Sequence, residues 1–449
     1  MNMRRHLLPI AISLLLTSCQ GATNLHRLTT PKIEKISTTL FHTMSETTYR
    51  SYMAFARKFS SLMWQYNDVS ESLGLSIPDA YLCLAITGII STQDAYQDVL
   101  SYLELENSEQ LRTAVKEIVA DFGTLFQNSQ GKWMGGYNLN SIWLNPEKVN
   151  LIKEKDEQLY KDLEEVFDAS LYYEALTSKK ANDYLKENGL KDLPVPEIQL
   201  DDDDPSALNV MSTYYCLDYF DEDQKDYYLR QYKSGTHKMD FTYQNKTTQV
   251  DYIGRKENNV VYEGDGFVGS SLNIRHLNMA FFLPEERDAH PKSILNDVMD
   301  EKYHLKETVF KDYEEKEYPT TIHQVNLQAP YFSLDNSLNL SHEQLKTVLP
   351  IITTKGAGER MAKAKIGDLY LDYLKQFSVM KFNYDGFYSC SVTIAGMEAT
   401  SAGNQYTPFD LILDHPYLFQ VRKTIRINNT RYIDVPLVVG QIITPNYSE

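Results

Sequence analysis

The chain has 449 residues, with 44 Lys or Arg and 61 Asp or Glu, so its formal net charge is −17. Apolar residues make up 42% and charged residues 23%, which is typical of a globular protein and excludes disorder as the main state. The acidic balance argues against a nucleic-acid partner, because phosphate binding needs clustered positive charge. Four cysteines are too few for a disulfide scaffold.

The first twenty residues predict export and a lipid anchor. Two arginines precede an apolar run from Leu7 to Leu16, which is too short to span a bilayer as a mature helix. The run leads into Leu16-Thr17-Ser18-Cys19, which resembles a bacterial lipobox; an ordinary secretory signal is the alternative. We therefore expect residues 1–18 to be a lipoprotein signal peptide and residues 19–44 a polar tether. Lipid on Cys19 would anchor the chain to a bacterial membrane or cell surface outside the cytoplasm.

The next part of the chain is predicted to be helical. From Glu46 to Tyr66, apolar residues recur at intervals of three and four, as on an amphipathic helix. Ile77–Ile90 is nearly all apolar and has Pro78 where a proline suits the first helical turn, which indicates a buried helix. Helical spacing continues in Tyr96–Leu105, Glu109–Phe126 and Val149–Phe167. Prolines and aspartates between residues 194 and 205 then mark a break.

After about Ala207 the composition favours strands. Runs rich in Val, Tyr, Phe and Thr predict an antiparallel-rich sheet system: Leu208–Phe220, Lys238–Tyr243, Thr248–Ile253, Asn259–Tyr262, Leu272–Leu283, Thr321–Leu327, Phe377–Phe382, Phe387–Ile394, Leu411–Phe419 and Leu437–Ile443. Short helices are predicted between them at Asp297–Tyr313 and Ser341–Leu349. With helices first and strands later, residues 45–449 are predicted to form one α+β domain.

Motifs for catalysis or cofactors are weak. Gly264–Gly269 has the glycine spacing of a dinucleotide-binding turn, but a strand rather than the required helix is predicted after it, which favours a hairpin. Ser378-Val379-Met380-Lys381 matches the Ser-x-x-Lys motif but lies on a predicted strand without its companion motifs. Asp201–Asp204 lacks the alternating ligands of a calcium loop and is interpreted as a solvated loop. We expect no enzyme activity, no cofactor and no metal.

The C-terminal stretch resembles the end of serpins. Leu411–Arg422 contains Asp414-His415-Pro416 ahead of a predicted buried strand, and Pro436–Pro445 contains a final strand with a glycine. Other segments fall in the order of that family, namely Ser76–Gly88, Asn140–Leu144, Leu208–Cys216, Met279–Glu285 and Pro330–Phe332. The resemblance covers residues 45 to 445. It implies a serpin-like fold, with N-terminal helices packed on a large, mostly antiparallel β-sheet, smaller sheets and an exposed reactive loop.

The resemblance also implies a function. Serpins present the loop as bait to a serine or cysteine protease, and its cleavage yields an acyl-enzyme. The freed loop inserts into the large sheet as an added strand and distorts the protease, so the native state is kinetically trapped. We therefore expect a monomeric, lipid-anchored suicide inhibitor whose partner is an extracellular serine or cysteine protease. The alternative is a non-inhibitory surface binding protein of the same fold with a shortened reactive loop.

The predicted hinge of the loop resembles the family's Gly-Thr-Glu-Ala-Ala-Ala-Ala-Thr, and it consists of Gly396, Met397, Glu398, Ala399, Thr400, Ser401, Ala402 and Gly403. Strand alternation would turn its odd-numbered residues, none of them charged, to the core face. Counting from this hinge places the scissile bond near Asp410 and Leu411. Counting back from the Asp414-His415-Pro416 turn places it near Gln405 and Tyr406. The two counts disagree, which predicts a loop shorter than a typical inhibitory one.

Three cysteines remain beyond the leader, namely Cys83, Cys216 and Cys390, each in an apolar or aromatic stretch. Buried free thiols are the simplest interpretation. The resemblance implies that Leu208–Cys216 and Phe387–Ile394 are neighbouring strands of the large sheet. If a bridge forms, we therefore expect it between Cys216 and Cys390, where it would lock the sheet shut.

Overall fold

The computed structural model describes residues 27–28, 43–123, 125–127, 133–154, 156–190, 193–220, 237–274, 276–311, 316–383, 385–389, 405–428 and 430–446. In these ranges the α-helices are α1 Glu46–Tyr66, α2 Pro78–Ile89, α3 Gln93–Tyr102, α4 Ser108–Phe122, α5 Glu157–Glu165, α6 Ser178–Asn188, α7 Leu295–Met299 and α8 His342–Lys346. A 3-10 turn, Pro291–Ile294, precedes α7. No helix in the described ranges is long and apolar enough to cross a membrane.

The strands of the first half are β1 Thr43–Met44, β2 Leu73–Ser76, β3 Leu125–Gln127, β4 Trp133–Leu144, β5 Val149–Leu151, β6 Ala169–Tyr172, β7 Leu208–Tyr219 and β8 His237–Tyr243. Those of the middle are β9 Lys246–Gly264, β10 Phe267–Ile274, β11 Leu277–Pro284, β12 Tyr303–Leu305, β13 Thr308–Lys311, β14 Glu317–Thr320, β15 Ile322–Pro330 and β16 Phe332–Leu340. The last are β17 Ala362–Ala364, β18 Leu374–Asn383, β19 Gly386–Ser389, β20 Gln405–Tyr406, β21 Pro408–Ile412, β22 Tyr417–Ile427 and β23 Arg431–Ile442.

Within the described ranges, the strands form two large sheets and two small ones. Sheet 1 has eleven strands, ordered β2-β23-β22-β11-β10-β9-β15-β21, with β1 on β22 and β8 and β12 on β9. Sheet 2 has seven, ordered β16-β18-β19-β7-β4-β3, with β6 on β4. Every pairing in sheet 2 is antiparallel except that of β4 with β6. The small sheets are β14-β13-β20 and β17-β5.

The early helices begin and end as their sequence predicts. The side chain of Ser45 caps α1 by accepting a hydrogen bond from the backbone N–H of Thr48, and α1 covers the predicted Glu46–Tyr66. α2 begins at Pro78, as predicted, and its side chains are buried along most of its length. α1 packs on β16 of sheet 2 and β23 of sheet 1, and α2 packs on β7 of sheet 2.

Three predicted helices are wrong in part. The helix predicted at Glu109–Phe126 ends at Phe122, and Leu125–Gln127 forms β3. Within Val149–Phe167, the first residues form β5, and the helix starts only at Glu157, where the Asp156 side chain caps it by accepting from the N–H of Leu159. Within Asp297–Tyr313, the helix ends at Met299, and the residues after it form β12 and β13. Glu301, with φ of 54°, turns the chain out of the helical conformation.

The predicted strands are largely confirmed, with changes in how they are divided. Thr248–Ile253 and Asn259–Tyr262 are parts of one long strand, β9, whereas Leu272–Leu283 is split between β10 and β11. Gly264–Gly269 is a hairpin turn between β9 and β10, as predicted, with Gly266 at φ of 72°. The structure therefore confirms the α+β class and the large sheet that the resemblance implied.

A buried carboxylate joins the two large sheets. Asp218 on β7 is fully buried and accepts backbone N–H bonds from His276 and Leu277, at 2.7 and 2.9 Å. These two residues lie at the turn between β10 and β11. Both of these bonds end on Oδ2, while Oδ1 accepts the backbone N–H of Tyr219 at 3.1 Å. A carboxylate is suited to this position because both of its oxygens accept and neither carries a proton that would clash with the donors.

We predict that Asp218→Asn lowers the free energy of unfolding by about 1–3 kcal/mol, because an amide has only one acceptor oxygen. Its NH₂ group would have to face either the N–H groups of His276 and Leu277 or the N–H of Tyr219, which donates to the second carboxylate oxygen. The measurement is denaturant unfolding of the variant beside Asp203→Asn, an exposed carboxyl in the loop before β7. Equal midpoints for both variants would contradict a joining role for Asp218.

Candidate functional site

The candidate site is an opening between two central strands of sheet 2. After β18 the chain reverses, and β19 runs back antiparallel to it, pairing Asn383 with Gly386 and Met380 with Ser389. On its other side, β19 is antiparallel to β7, with Ser389 opposite Cys216. A four-residue strand thus lies between β18 and β7.

Gly386 makes the reversal possible. Its φ is 141°, and a Cβ atom there would lie 2.2 Å from the carbonyl oxygen of Asp218. Glycine is therefore required both for the backbone conformation and for the close approach to β7. The reversal is held further by Phe220, whose backbone N–H donates to the carbonyl oxygen of Asp385 at 3.0 Å.

The side chains of β19 alternate between the core and the outer face. Phe387 and Ser389 are 1% and 0% exposed, so both lie on the core side. Tyr388 is partly exposed on the opposite face, and its hydroxyl donates to the carbonyl oxygen of Pro194. β19 is therefore seated in the sheet in the manner of an ordinary central strand.

Beyond Ser389, the last described residue of β19, strands β18 and β7 are apart. Among the described residues, no strand lies between Leu208–Thr213 of β7 and Leu374–Val379 of β18. A cavity of about 590 Å³ occupies this region. Residues of both strands and of α2 line it, among them Val210, Phe377 and Cys83. We call this region the slot.

A buried polar network fixes β18 beside the slot. The side-chain amide of Gln376 accepts from the N–H of Ser76 at 2.9 Å and donates to its carbonyl oxygen at 2.8 Å. It also donates to Asp79 at 3.2 Å, while the Ser76 hydroxyl donates to the same carboxyl group. Two residues further along β18, the Ser378 hydroxyl donates to the carbonyl oxygen of Gly74, and Asn336 on β16 accepts from the N–H of Gly74 and donates to the same carbonyl oxygen. These contacts hold β18 to the chain segment that leads into α2.

Burial raises the pKa of the Asp79 carboxyl to about 7, against the hydrogen bonds from Ser76 and Gln376, which lower it. In the unfolded chain this carboxyl titrates near pH 4. The folded state therefore holds its proton up to a higher pH than the unfolded state does. Stability consequently falls as the pH rises from about 4 to about 7, and it is constant with respect to this group above that range.

We predict that Asp79→Asn raises the thermal midpoint at pH 8, by on the order of 1 kcal/mol in stability, and changes it little at pH 4. The asparagine cannot ionise but still accepts from Gln376. Thermal scans across this pH range test the prediction, with Asp368→Asn, an exposed carboxyl at the cavity rim, as the control. A gain for Asp79→Asn that is equal at both pH values would contradict it.

The predicted site residues fall into two groups. Cys19, Cys390 and the hinge residues 396–403 lie outside the described residues. Gln405 and Tyr406 form β20 on the small sheet. Asp410 and Leu411 lie in β21, parallel to β15, where Leu411 is buried and Asp410 accepts from the Asn326 side chain at 2.8 Å. Both pairs of scissile-bond candidates are thus in paired strands.

The sequence interpretation overlooked Gly386–Ser389 as the point where the chain turns into the sheet. Two strand-like runs, Phe377–Phe382 and Phe387–Ile394, flank residues 383–386, and a glycine-containing interval of this kind between strands is a hairpin signal. The expectation that the strands containing Phe387–Ile394 and Leu208–Cys216 are neighbours is confirmed over β19, which pairs with Cys216–Tyr219 of β7. Ser389 lies opposite Cys216 there, and the bridge from Cys216 to Cys390 stays a prediction.

The C-terminal motif is structurally connected to an earlier segment of the resemblance. The ring of His415 is buried, and its Nδ1 and Nε2 atoms lie 2.8 Å from Asp414 Oδ1 and the carbonyl oxygen of Pro284. The Asp414-His415-Pro416 turn therefore packs on the end of β11, which contains most of Met279–Glu285, the segment of the resemblance that ends in Leu-Pro-Glu.

Comparisons with known proteins agree with this architecture. Residues 228–445 match the family model described as Serpin (serine protease inhibitor). No curated protein matches the chain. Among solved structures, the native state of the thermophilic serpin tengpin superposes with a TM-score of 0.63 at 13% identity, covering 93% of this chain and 97% of that one.

Two further structures are similar. Serpin48 of the insect Tenebrio molitor gives a TM-score of 0.61 at 16% identity, covering 90% of this chain and 100% of that one. Thyroxine-binding globulin in complex with thyroxine gives a TM-score of 0.60 at 12% identity, covering 89% of this chain and 100% of that one. Identities this low show the fold alone. Residues 228–445 are thus similar in sequence to the serpin family model, and the chain as a whole has the serpin fold.

Proposed function

We propose that this chain inhibits a serine or cysteine protease by inserting its cut loop into sheet 2. The observation that carries the proposal is β19, which lies between β18 and β7 directly above the slot. It occupies the position of the first residues of an inserted strand. Insertion would continue from Ser389 into the slot, along the edges of both neighbours.

The register of β19 on β7 sets how far insertion can run. Ser389 lies opposite Cys216, and each further residue moves one place along β7 toward its start at Leu208. Continued to the end of the strand, the same register places Met397 opposite Leu208. We infer that the hinge starts at Gly386 rather than Gly396. The loop is then longer than the loop predicted from the sequence.

The hinge position changes where the scissile bond is expected. The count that led from Gly396 to Asp410 leads from Gly386 to Thr400, in the interval between β19 and β20. The bonds after Gln405 and Asp410 stay candidates, but their backbone is paired to other strands and is less open to a protease. The interval from Ala399 to Gly403 contains only small residues. A protease with a shallow, uncharged primary pocket, as in elastase, is therefore the partner we propose.

The test combines proteases with a variant of the inserting strand. Alternation of Phe387 and Ser389 predicts that Ser391 turns to the core, so we expect Ser391→Arg to be cut without trapping the protease, because a buried unpaired charge opposes insertion. Ser391→Val fits a strand and should retain inhibition. The measurement is a denaturing gel after mixing each form with elastase-type, trypsin-type and cysteine proteases. Mass spectrometry of the products locates the cut.

Absence of a stable covalent complex with any of these proteases, together with loop cleavage, would contradict the inhibitory proposal. The second candidate, a non-inhibitory binding protein of the same fold, is favoured by the bulky Phe387 and Tyr388, where small residues would insert more readily. Thyroxine-binding globulin shows that a protein of this fold can bind a small ligand. Under this second candidate, cutting the loop should leave the thermal midpoint unchanged.

We propose that Cys19 is lipidated and holds the inhibitor on a bacterial membrane or surface. The lipobox-like Leu16-Thr17-Ser18-Cys19 supports this proposal. In a bacterial host, the full chain should partition into the detergent phase of a phase-separating detergent, and Cys19→Ser should move to the aqueous phase. Cys83→Ser, which removes a free thiol of the folded domain, should partition like the unaltered chain. Identical partitioning of the Cys19 variant and the unaltered chain would refute the anchor.

A further inference from the structure

The chain that follows the loop is held by a hairpin outside both large sheets. β13 and β14 form this hairpin, and β20 adds to it as a third strand, with Phe310 opposite Tyr406 and Lys311 opposite Gln405. The sequence prediction had placed part of this region in a helix. The hairpin is therefore an element that sequence periodicity does not reveal, and it contacts the loop's C-terminal end directly.

Aromatic and hydroxyl side chains reinforce the short pairing. The ring of Phe310 lies between those of Tyr318 and Tyr406, with centroid distances of 5.4 and 5.6 Å. The Thr308 hydroxyl donates to that of Thr407 at 2.8 Å, and the Thr407 hydroxyl donates to the carbonyl oxygen of Val309 at 2.9 Å. Such contacts strengthen a pairing that its backbone bonds alone would leave weak.

The base of the hairpin is fixed to sheet 1. β12, just before it, pairs with β9 from Tyr303 to Leu305. Lys306 then donates its backbone N–H to Val261 at 2.8 Å, and its ammonium group pairs with Glu263. On the far side of the hairpin, β15 continues into sheet 1. A pull on β20 is therefore resisted by a hairpin that is attached at both ends.

An uncut loop would have to pull on this attachment. If the loop filled the slot from Ser389 to Met397, these eight residues would carry the chain about 26 Å along sheet 2, at about 3.3 Å per residue. The eight Cα–Cα steps from Met397 to Gln405 can span at most about 26–29 Å when fully extended. If the chain has to return over the same length of sheet, full insertion without a cut would use nearly all of this reach and put tension on the pairing of Gln405 and Tyr406 with β13. After a cut within this interval, no such tension arises.

We propose that the hairpin β13–β14 is a strap that keeps the uncut loop out of the slot by holding Gln405–Thr407. Phe310 and Tyr318 are its positioning residues. The strap rests on the proposed insertion function, since it has a role only if the loop can enter sheet 2. It makes insertion depend on cleavage, because cutting separates the inserting strand from the strapped segment.

The test uses the full chain with Phe310→Ala, and separately Tyr318→Ala, a milder change because Tyr318 is 41% exposed. Tyr432→Ala, 50% exposed on β23, is the matched control. We expect backbone amides of residues 405–412 to exchange with solvent about tenfold faster in the strap variants, but not in the control. On prolonged warming, the uncut strap variants should convert faster than the unaltered chain to a more heat-resistant form.

Unchanged exchange at residues 405–412, or an unchanged rate of conversion, would overturn the strap. Failure of the insertion function gives a different result. In that case the cut chain gains no thermal stability in any variant, whereas exchange at residues 405–412 still reports whether the hairpin holds the segment.

Discussion

β18 and β7 are bridged by a four-residue strand at one end and stand apart over the rest of their described length. Backbone N–H and C=O groups along a strand edge require partners, and an added strand supplies them at about 1 kcal/mol for each hydrogen bond formed. The free energy that insertion would release is therefore located at this slot. The contacts that hold β18 and β7, and the hairpin that holds the segment after the loop, would affect whether and when a strand enters the slot.

Several of these features keep the two edges in place. The network of Ser76, Asp79 and Gln376 attaches β18 to the start of α2, while α2 itself packs on β7. Asp218 connects the C-terminal end of β7 to sheet 1 through its hydrogen bonds with His276 and Leu277. Both strands are therefore held by contacts that lie outside the slot. A carboxyl with a raised pKa in this network also makes the stability of the region depend on pH.

Local signals explain which parts of the molecule could be predicted from the sequence. α1 was predicted with its true bounds because a capping serine and a clear apolar period mark it. The Asp414-His415-Pro416 turn and the Leu-Pro-Glu strand were placed correctly through resemblance, and His415 joins them. Both are short stretches whose residue types are set by close packing, so their identity survives where overall identity is low.

Long-range strand pairing explains which parts of the molecule could not be predicted from the sequence. Nothing local in Gln405 and Tyr406 indicates that they pair with Phe310 and Lys311, because the partner strands are distant in sequence and only a few residues long. The hinge was predicted from the small residues of Gly396–Gly403, but the chain already enters sheet 2 at Gly386, with the bulky Phe387 on the core side. Resemblance to a small-residue pattern could not reveal a strand that begins with aromatic residues.

The most direct measurement is amide hydrogen exchange along β7 in the intact chain and in the chain cut within residues 398–404. If the freed strand enters the slot, the amides of Leu208–Thr213 should become far more protected after the cut, and those of β23 should not change. Equal exchange along Leu208–Thr213 before and after the cut would mean that the slot stays empty, and it would contradict the account.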